Sequence, residues 1–146
     1  MNTGVMPDKS KRPVITECPA YESASVREAL TEAIDMTGGL DWVKPWIKIG
    51  VKLNLCAPRK PEHAATTHPV MAAELTKLLA ERGAKVVLGD SPGEPFTPAI
   101  LKHVYNVTGM KLCEEAGGRL NDDFSHNEVS FPEGKSVRTF EYCSWL

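Results

Sequence analysis

The sequence predicts an α/β fold, three layers deep, with a mostly parallel sheet and flanking helices, and two observations carry that expectation. Ile47, Ile49, Val51, Leu53 and Leu55 alternate with Lys48, Gly50, Lys52 and Asn54, the two-residue period of a strand with one apolar and one polar face. A helical stripe from Pro69 to Gly83 and a short apolar run, Lys85 to Leu88, follow directly. Strand, helix and strand with short connections are the signature of a parallel crossover. The arrangement is Rossmann-like, and the apolar finish from Phe140 to Leu146, with no polar tail, predicts that it is incomplete at the C-terminus.

Residues 1–12 are polar and aperiodic and are expected to form a flexible arm, with 13–146 a single α/β domain, the N-terminal part of a longer one. Val14 to Cys18 reads as a short first strand stopped by Pro19. Ser25 to Glu28 has capping-box spacing, and Val26, Leu30, Ala33 and Ile34 follow at helical spacing up to Gly38-Gly39. Pro69 opens the next helix, because its missing N–H costs nothing in a first turn. Met71, Leu75, Leu78 and Leu79 form the inward stripe of that helix, while Glu74, Lys77, Glu81 and Arg82 are expected in water. Thr97-Pro98 starts a third helix carrying Ile100, Leu101, Val104 and Tyr105, and Thr108 is expected to cap a fourth with Leu112, Cys113 and Ala116 inward. Extended pieces near Arg119 to Phe124, Glu128 to Phe131 and Ser136 to Glu141 complete the chain.

With 146 residues, 42% of them hydrophobic and 25% charged, the chain has the composition of a globular protein, which excludes disorder of the whole. A net charge of -2 gives no global attraction for nucleic acid or an anionic membrane, so neither is expected as a partner and any anion site must be local. No apolar run reaches the roughly 18 residues of a membrane span and no signal-peptide core is seen, so a cytoplasmic location is expected. Cys18, Cys56, Cys113 and Cys143 are dispersed without a Cys-x-x-Cys pair, which offers neither a zinc knuckle nor a cluster-ligand run.

The chemistry gathers where the first long strand ends. Lys52 and Asn54 on its polar face lead into a loop with Arg59, Thr67 and His68, just before the Pro69 helix start. In open α/β sheets ligands bind at strand carboxyl ends, and helix starts offer N–H groups to anions. Gly89-Asp-Ser-Pro-Gly93 follows the next strand and brings Asp90, Ser91 and Gly93 to a second wall of the same site. The same residues also suit a solvated edge strand and an ordinary turn. Walker and Gly-x-Gly-x-x-Gly sequences are missing, so a nucleotide fingerprint does not apply. His63, His68, Asp90, Cys56 and His103 are suitable metal donors in type, but their spacing is not that of a metal motif, and no metal ligand is assigned.

Val51-Lys-Leu-Asn-Leu55, Thr66-Thr-His-Pro69 and Val87-Leu-Gly-Asp-Ser-Pro-Gly93, in that order, resemble the N-terminal half of domain-of-unknown-function family 362, over about Val14 to Leu146. The resemblance implies an α/β protein of a family often described as iron–sulfur or ferredoxin-like. It places 4Fe-4S clusters in a later segment of the full-length protein and none within this chain. Where the family has a Pro-Gly-Asp type of turn before the strand, this chain has Pro45-Trp-Ile-Lys48.

The expected function is therefore binding of a small anionic molecule, a carboxylate or phosphate, by an enzyme or redox-associated protein. Lys52 and Arg59 would neutralise charge, Asn54, Thr67, Ser91 and Gly93 would contact the ligand, and His68 and Asp90 would move protons. Two alternatives are a noncatalytic domain that docks onto an iron–sulfur module, or self-associates, through its apolar C-terminal surface, and a metal-dependent hydrolase or isomerase.

Overall fold

The computed structural model describes residues 13–90 and 97–145. The arm at 1–12, Ser91, Gly93 and Leu146 lie outside the described residues. The described chain is α/β, as the alternation predicted. Strands β1 (Lys48–Lys52), β2 (Lys85–Gly89) and β3 (Arg119–Leu120) form a parallel sheet in the order β1-β2-β3. Lys48 pairs with Lys85, Lys52 with Gly89 and Leu88 with Leu120. Helices α1 (Ser23–Met36), α2 (Pro69–Ala80), α3 (Pro98–Val107) and α4 (Leu112–Glu115) flank it. A separate antiparallel hairpin, β4 (His126–Ser130) with β5 (Thr139–Cys143), follows.

The apolar face of the first strand enters the core as its period requires. Leu53 and Leu55 are buried while Lys52 and Asn54 are exposed, so the in-and-out pattern outlasts the strand's paired residues. One ladder bond also continues, from the Leu53 N–H to the Gly89 carbonyl at 2.8 Å. Helix α2 packs against α1, α4 and β2, and Leu78, Leu79, Leu88, Leu101, Val104 and Met110 meet in one core cluster.

Several expectations are corrected. Val14 to Cys18 is not a strand but an extended strap on α1, fastened by the Thr16 hydroxyl donating to the Ala29 carbonyl at 3.1 Å. Helix α1 begins two residues before the proposed capping box, with Glu22 as its N-cap. The Ser23 hydroxyl donates to Glu74 of α2 at 2.5 Å. Glu74 itself is buried, not in water, because α1 covers that face, and Met71 is 44% exposed where an inward position was expected. Thr108 ends α3 instead of starting α4, its hydroxyl donating to the Val104 carbonyl. Leu112 is exposed while Cys113 is fully buried. At the C-terminal end Trp145 is only 2% exposed, so its ring belongs to this chain's own core. Its ring atoms lie so close to Gly89 that a Cβ there would meet them at 3.0 Å.

Pro69 and Thr97-Pro98 open helices as predicted. His68 caps α2 through Nδ1, which accepts the Val70 N–H at 3.4 Å, and Thr97 caps α3 by accepting the Ile100 N–H at 3.4 Å. Among the described residues no helix is long and apolar enough to cross a membrane.

Candidate functional site

The carboxyl ends of β1 and β2 are tied to one another by charge. Lys52 is the last residue of β1 and Asp90 immediately follows β2, and the parallel register brings them to the same level. Lys52 Nζ lies 2.5 Å from Asp90 Oδ1 and also donates to its neighbour's carbonyl, Leu53 O, at 2.7 Å. The other carboxylate oxygen, Oδ2, accepts the Leu55 N–H at 2.6 Å. Asp90 is 4% exposed, a depth at which a carboxylate needs both a cation and hydrogen bonds. The lysine side chain remains 52% exposed.

Two residues beyond Lys52, the chain is held again. The Asn54 N–H donates to Thr67 Oγ1 and the Thr67 N–H donates to the Asn54 carbonyl, both at 2.9 Å. This reciprocal pair draws the start of α2 against the end of β1. It also orders His68, whose ring stacks on Tyr21 with centroids 3.8 Å apart and planes 15° apart. Burial lowers the His68 pKa, favouring the neutral ring. The hydrogen bond accepted at Nδ1 then puts the proton on Nε2.

Of the predicted site residues, Lys52, Asp90, Asn54, Thr67 and His68 are thus gathered around Leu53 to Leu55 and the start of α2. Asn54 contributes its backbone, with its side chain exposed. Arg59 is exposed on the following loop, and its side chain makes no ion pair or hydrogen bond among the described residues. Ser91 and Gly93 lie outside the described residues. The helix start offers fewer donors than expected, since Pro69 has no N–H and His68 takes that of Val70.

Sequence reasoning missed Tyr21, Tyr105 and Asn121. Tyr21 stacks on His68 from a loop far upstream, so no local pattern marks it. Asn121, 1% exposed, follows β3, and its carbonyl accepts the Tyr105 hydroxyl at 3.1 Å. Burial, then the nearby Asp90 charge, drive the Tyr105 pKa upward, so this phenol stays protonated. A cavity of about 400 Å³ opens beside these two residues, floored by Leu101 and Leu120 and rimmed by Lys102, Lys111 and Glu114.

Among the described residues no group of three or more His, Cys, Asp or Glu side chains is placed to hold a metal ion. The grouping of His63, His68 and Asp90 that a metal-dependent hydrolase or isomerase would need is therefore not found among them. The four cysteines are free thiols: Cys18 and Cys56 are exposed, Cys143 is half-buried and Cys113 is buried.

Comparison with known proteins gives two results. The model of the family described as Domain of unknown function (DUF362) matches residues 49–146. A thylakoid-associated protein of Synechocystis sp. is 27% identical over 120 residues, covering 76% of this chain and 37% of that protein's length. No solved structure matches the chain.

Proposed function

The chain belongs to the DUF362 family, and from that premise we propose that it is a domain that binds a small anionic molecule, a carboxylate or phosphate, at the carboxyl ends of β1 and β2. One observation carries the reading. An ammonium group has three N–H donors, and Lys52 commits its charge to Asp90 and one hydrogen bond to Leu53 O while half of its side chain stays in solvent. A cation fixed in place by a buried carboxylate is already ordered for a ligand, so binding costs little side-chain entropy. Asp90 acts chiefly by holding Lys52. His68, kept neutral with its proton on Nε2, is the group best suited to donate or accept a proton beside the ligand.

Isothermal titration with inorganic phosphate and with acetate tests this. Binding at roughly micromolar to millimolar Kd is expected, and Lys52→Met should weaken it about tenfold or more, the worth of one hydrogen bond to a charged group. A heat signal unaltered by Lys52→Met would remove the lysine from the site, and no binding of either anion would sink the reading.

A second reading concerns where the domain works. The relative in Synechocystis is described as thylakoid-associated, and in this chain Trp42 and Trp46 stand in solvent at 56% and 77% exposure. Together these support work in contact with a membrane surface.

A further inference from the structure

The turn that leads into β1 holds two indoles out of the core by a rigid backbone. Leu40 and Val43 anchor it, each under 9% exposed. The Val43 N–H donates to the Leu40 carbonyl, the Ile47 N–H to Lys44 and the Trp46 N–H to Gly83, the last at 2.7 Å. Pro45 rests against Gly83, where a Cβ would meet it at 3.1 Å. Within this frame Trp46 has φ +72°, the left-handed region that favours glycine. A bulky residue there is strained, and such strain points to function when packing does not account for it. Packing does not: Trp46 is 77% exposed, and among the described residues a cation–π contact from Lys85, at 5.2 Å, covers one face of its ring.

Lys44 and Lys48 outnumber the one acid of the same stretch, Asp41, and a further carboxylate, Asp123, lies within electrostatic reach of Lys48. Lys85 lies directly across the ladder from Lys48. All three lysines are exposed. Indole rings sit at the headgroup level of bilayers, and lysines beside them are drawn to anionic lipid. A second copy of the chain is a poor occupant. In a two-fold contact the lysines of one copy would face their own equivalents, and like charges set against each other oppose association.

We propose that Trp42 and Trp46, with Lys44, Lys48 and Lys85, form a docking surface for an anionic lipid bilayer. This deepens the membrane reading above and is independent of the anion site. The patch sits at the amino ends of β1 and β2, whereas Lys52 and Asp90 mark the carboxyl ends, so a docked domain turns its anion site away from the lipid.

The test is co-sedimentation of the full chain with vesicles of equal phosphatidylglycerol and phosphatidylcholine, and with vesicles of phosphatidylcholine alone, at low and high salt. Binding to the anionic vesicles that fades with salt is expected, with a blue shift of tryptophan emission. Trp46→Gly removes the ring yet suits the left-handed backbone, so its thermal midpoint should not fall while vesicle affinity drops about tenfold. Lys48→Glu with Lys85→Glu should lower affinity similarly. Binding that survives Trp46→Gly, or that is equal on neutral vesicles, overturns the assigned surface but leaves the membrane reading standing. No binding to either vesicle overturns both. Lipid-free dimers abolished by Trp46→Gly overturn the surface in favour of self-association.

Discussion

Lys52 and Asp90 meet at 2.5 Å across the carboxyl ends of two parallel strands, and Asp90 spends its second oxygen on the Leu55 N–H. The two partners differ sharply in exposure, at 52% and 6% of their side chains, so removing one is not equivalent to removing the other. Asp90→Ala strands a buried backbone N–H and should lower stability by about 2–3 kcal/mol. Lys52→Met leaves the Asp90 carboxylate buried with no cation beside it and should cost more, about 3–5 kcal/mol. Urea denaturation midpoints of the two variants check the order, and equal losses would contradict it.

Glu74 supplies a pH dependence. Burial raises its pKa, but hydrogen bonds from Lys77 and Ser23 and the charges of Lys77 and Arg27 outweigh this and leave it below the ordinary 4.5. A depressed folded-state value means stability that is present above pH 4.5 and is lost as pH falls through the lower folded value. Glu74→Gln should therefore be less stable than the native chain at neutral pH, and the gap should narrow as pH drops below about 4.5. Thermal midpoints from pH 7 to 3 measure it, and a gap independent of pH would show that the carboxylate's ionisation is not what α1 and α2 share.

Trp145 is core. Trp145→Ala should cost about 3–5 kcal/mol, as large buried aromatics do. Gly89→Ala, whose Cβ would meet Asn121 at 2.9 Å and Trp145 at 3.0 Å, should cost about 1–3 kcal/mol by overpacking. Differential scanning calorimetry of both variants is the measurement. Unchanged midpoints would show that the packing of Trp145 on Gly89 does not stabilise the fold.

Thiol reactivity should separate the cysteines. Burial pushes the Cys113 thiol up to about 11, and its side chain is fully enclosed. In native protein at pH 8, Ellman's reagent should label Cys18 and Cys56 quickly and leave Cys113 untouched until denaturant is added. Rapid labelling of Cys113 in a Cys18→Ser, Cys56→Ser, Cys143→Ser variant would show that the α2, α4 and β3 packing opens readily.

What could be read from the chain itself was whatever has a short-range cause. The alternation from Ile49 to Leu55 marks which side chains face the core, because a strand's period is set by the backbone, whereas Ile47 at its start is exposed. Pro69 and Thr97-Pro98 mark helix starts because a cap and a missing N–H act within one turn. The turn order placed Lys52 and Asp90 at neighbouring strand ends, since parallel pairing with short connections leaves few alternatives. Net charge, by contrast, hid the basic patch around Trp46, because a sum over the chain carries no positions.

The tertiary structure alone decided the rest. Glu74 reads as a solvent-facing helix residue until α1 brings Ser23 and Arg27 across it. Nor does the sequence show that Tyr21 stacks on His68, or that Trp145 packs onto Gly89, since these contacts join residues 47 and 56 positions apart. Sequence pattern expresses local periodicity and capping, whereas the environment of a buried charge or ring is set by elements that meet only after the sheet has formed.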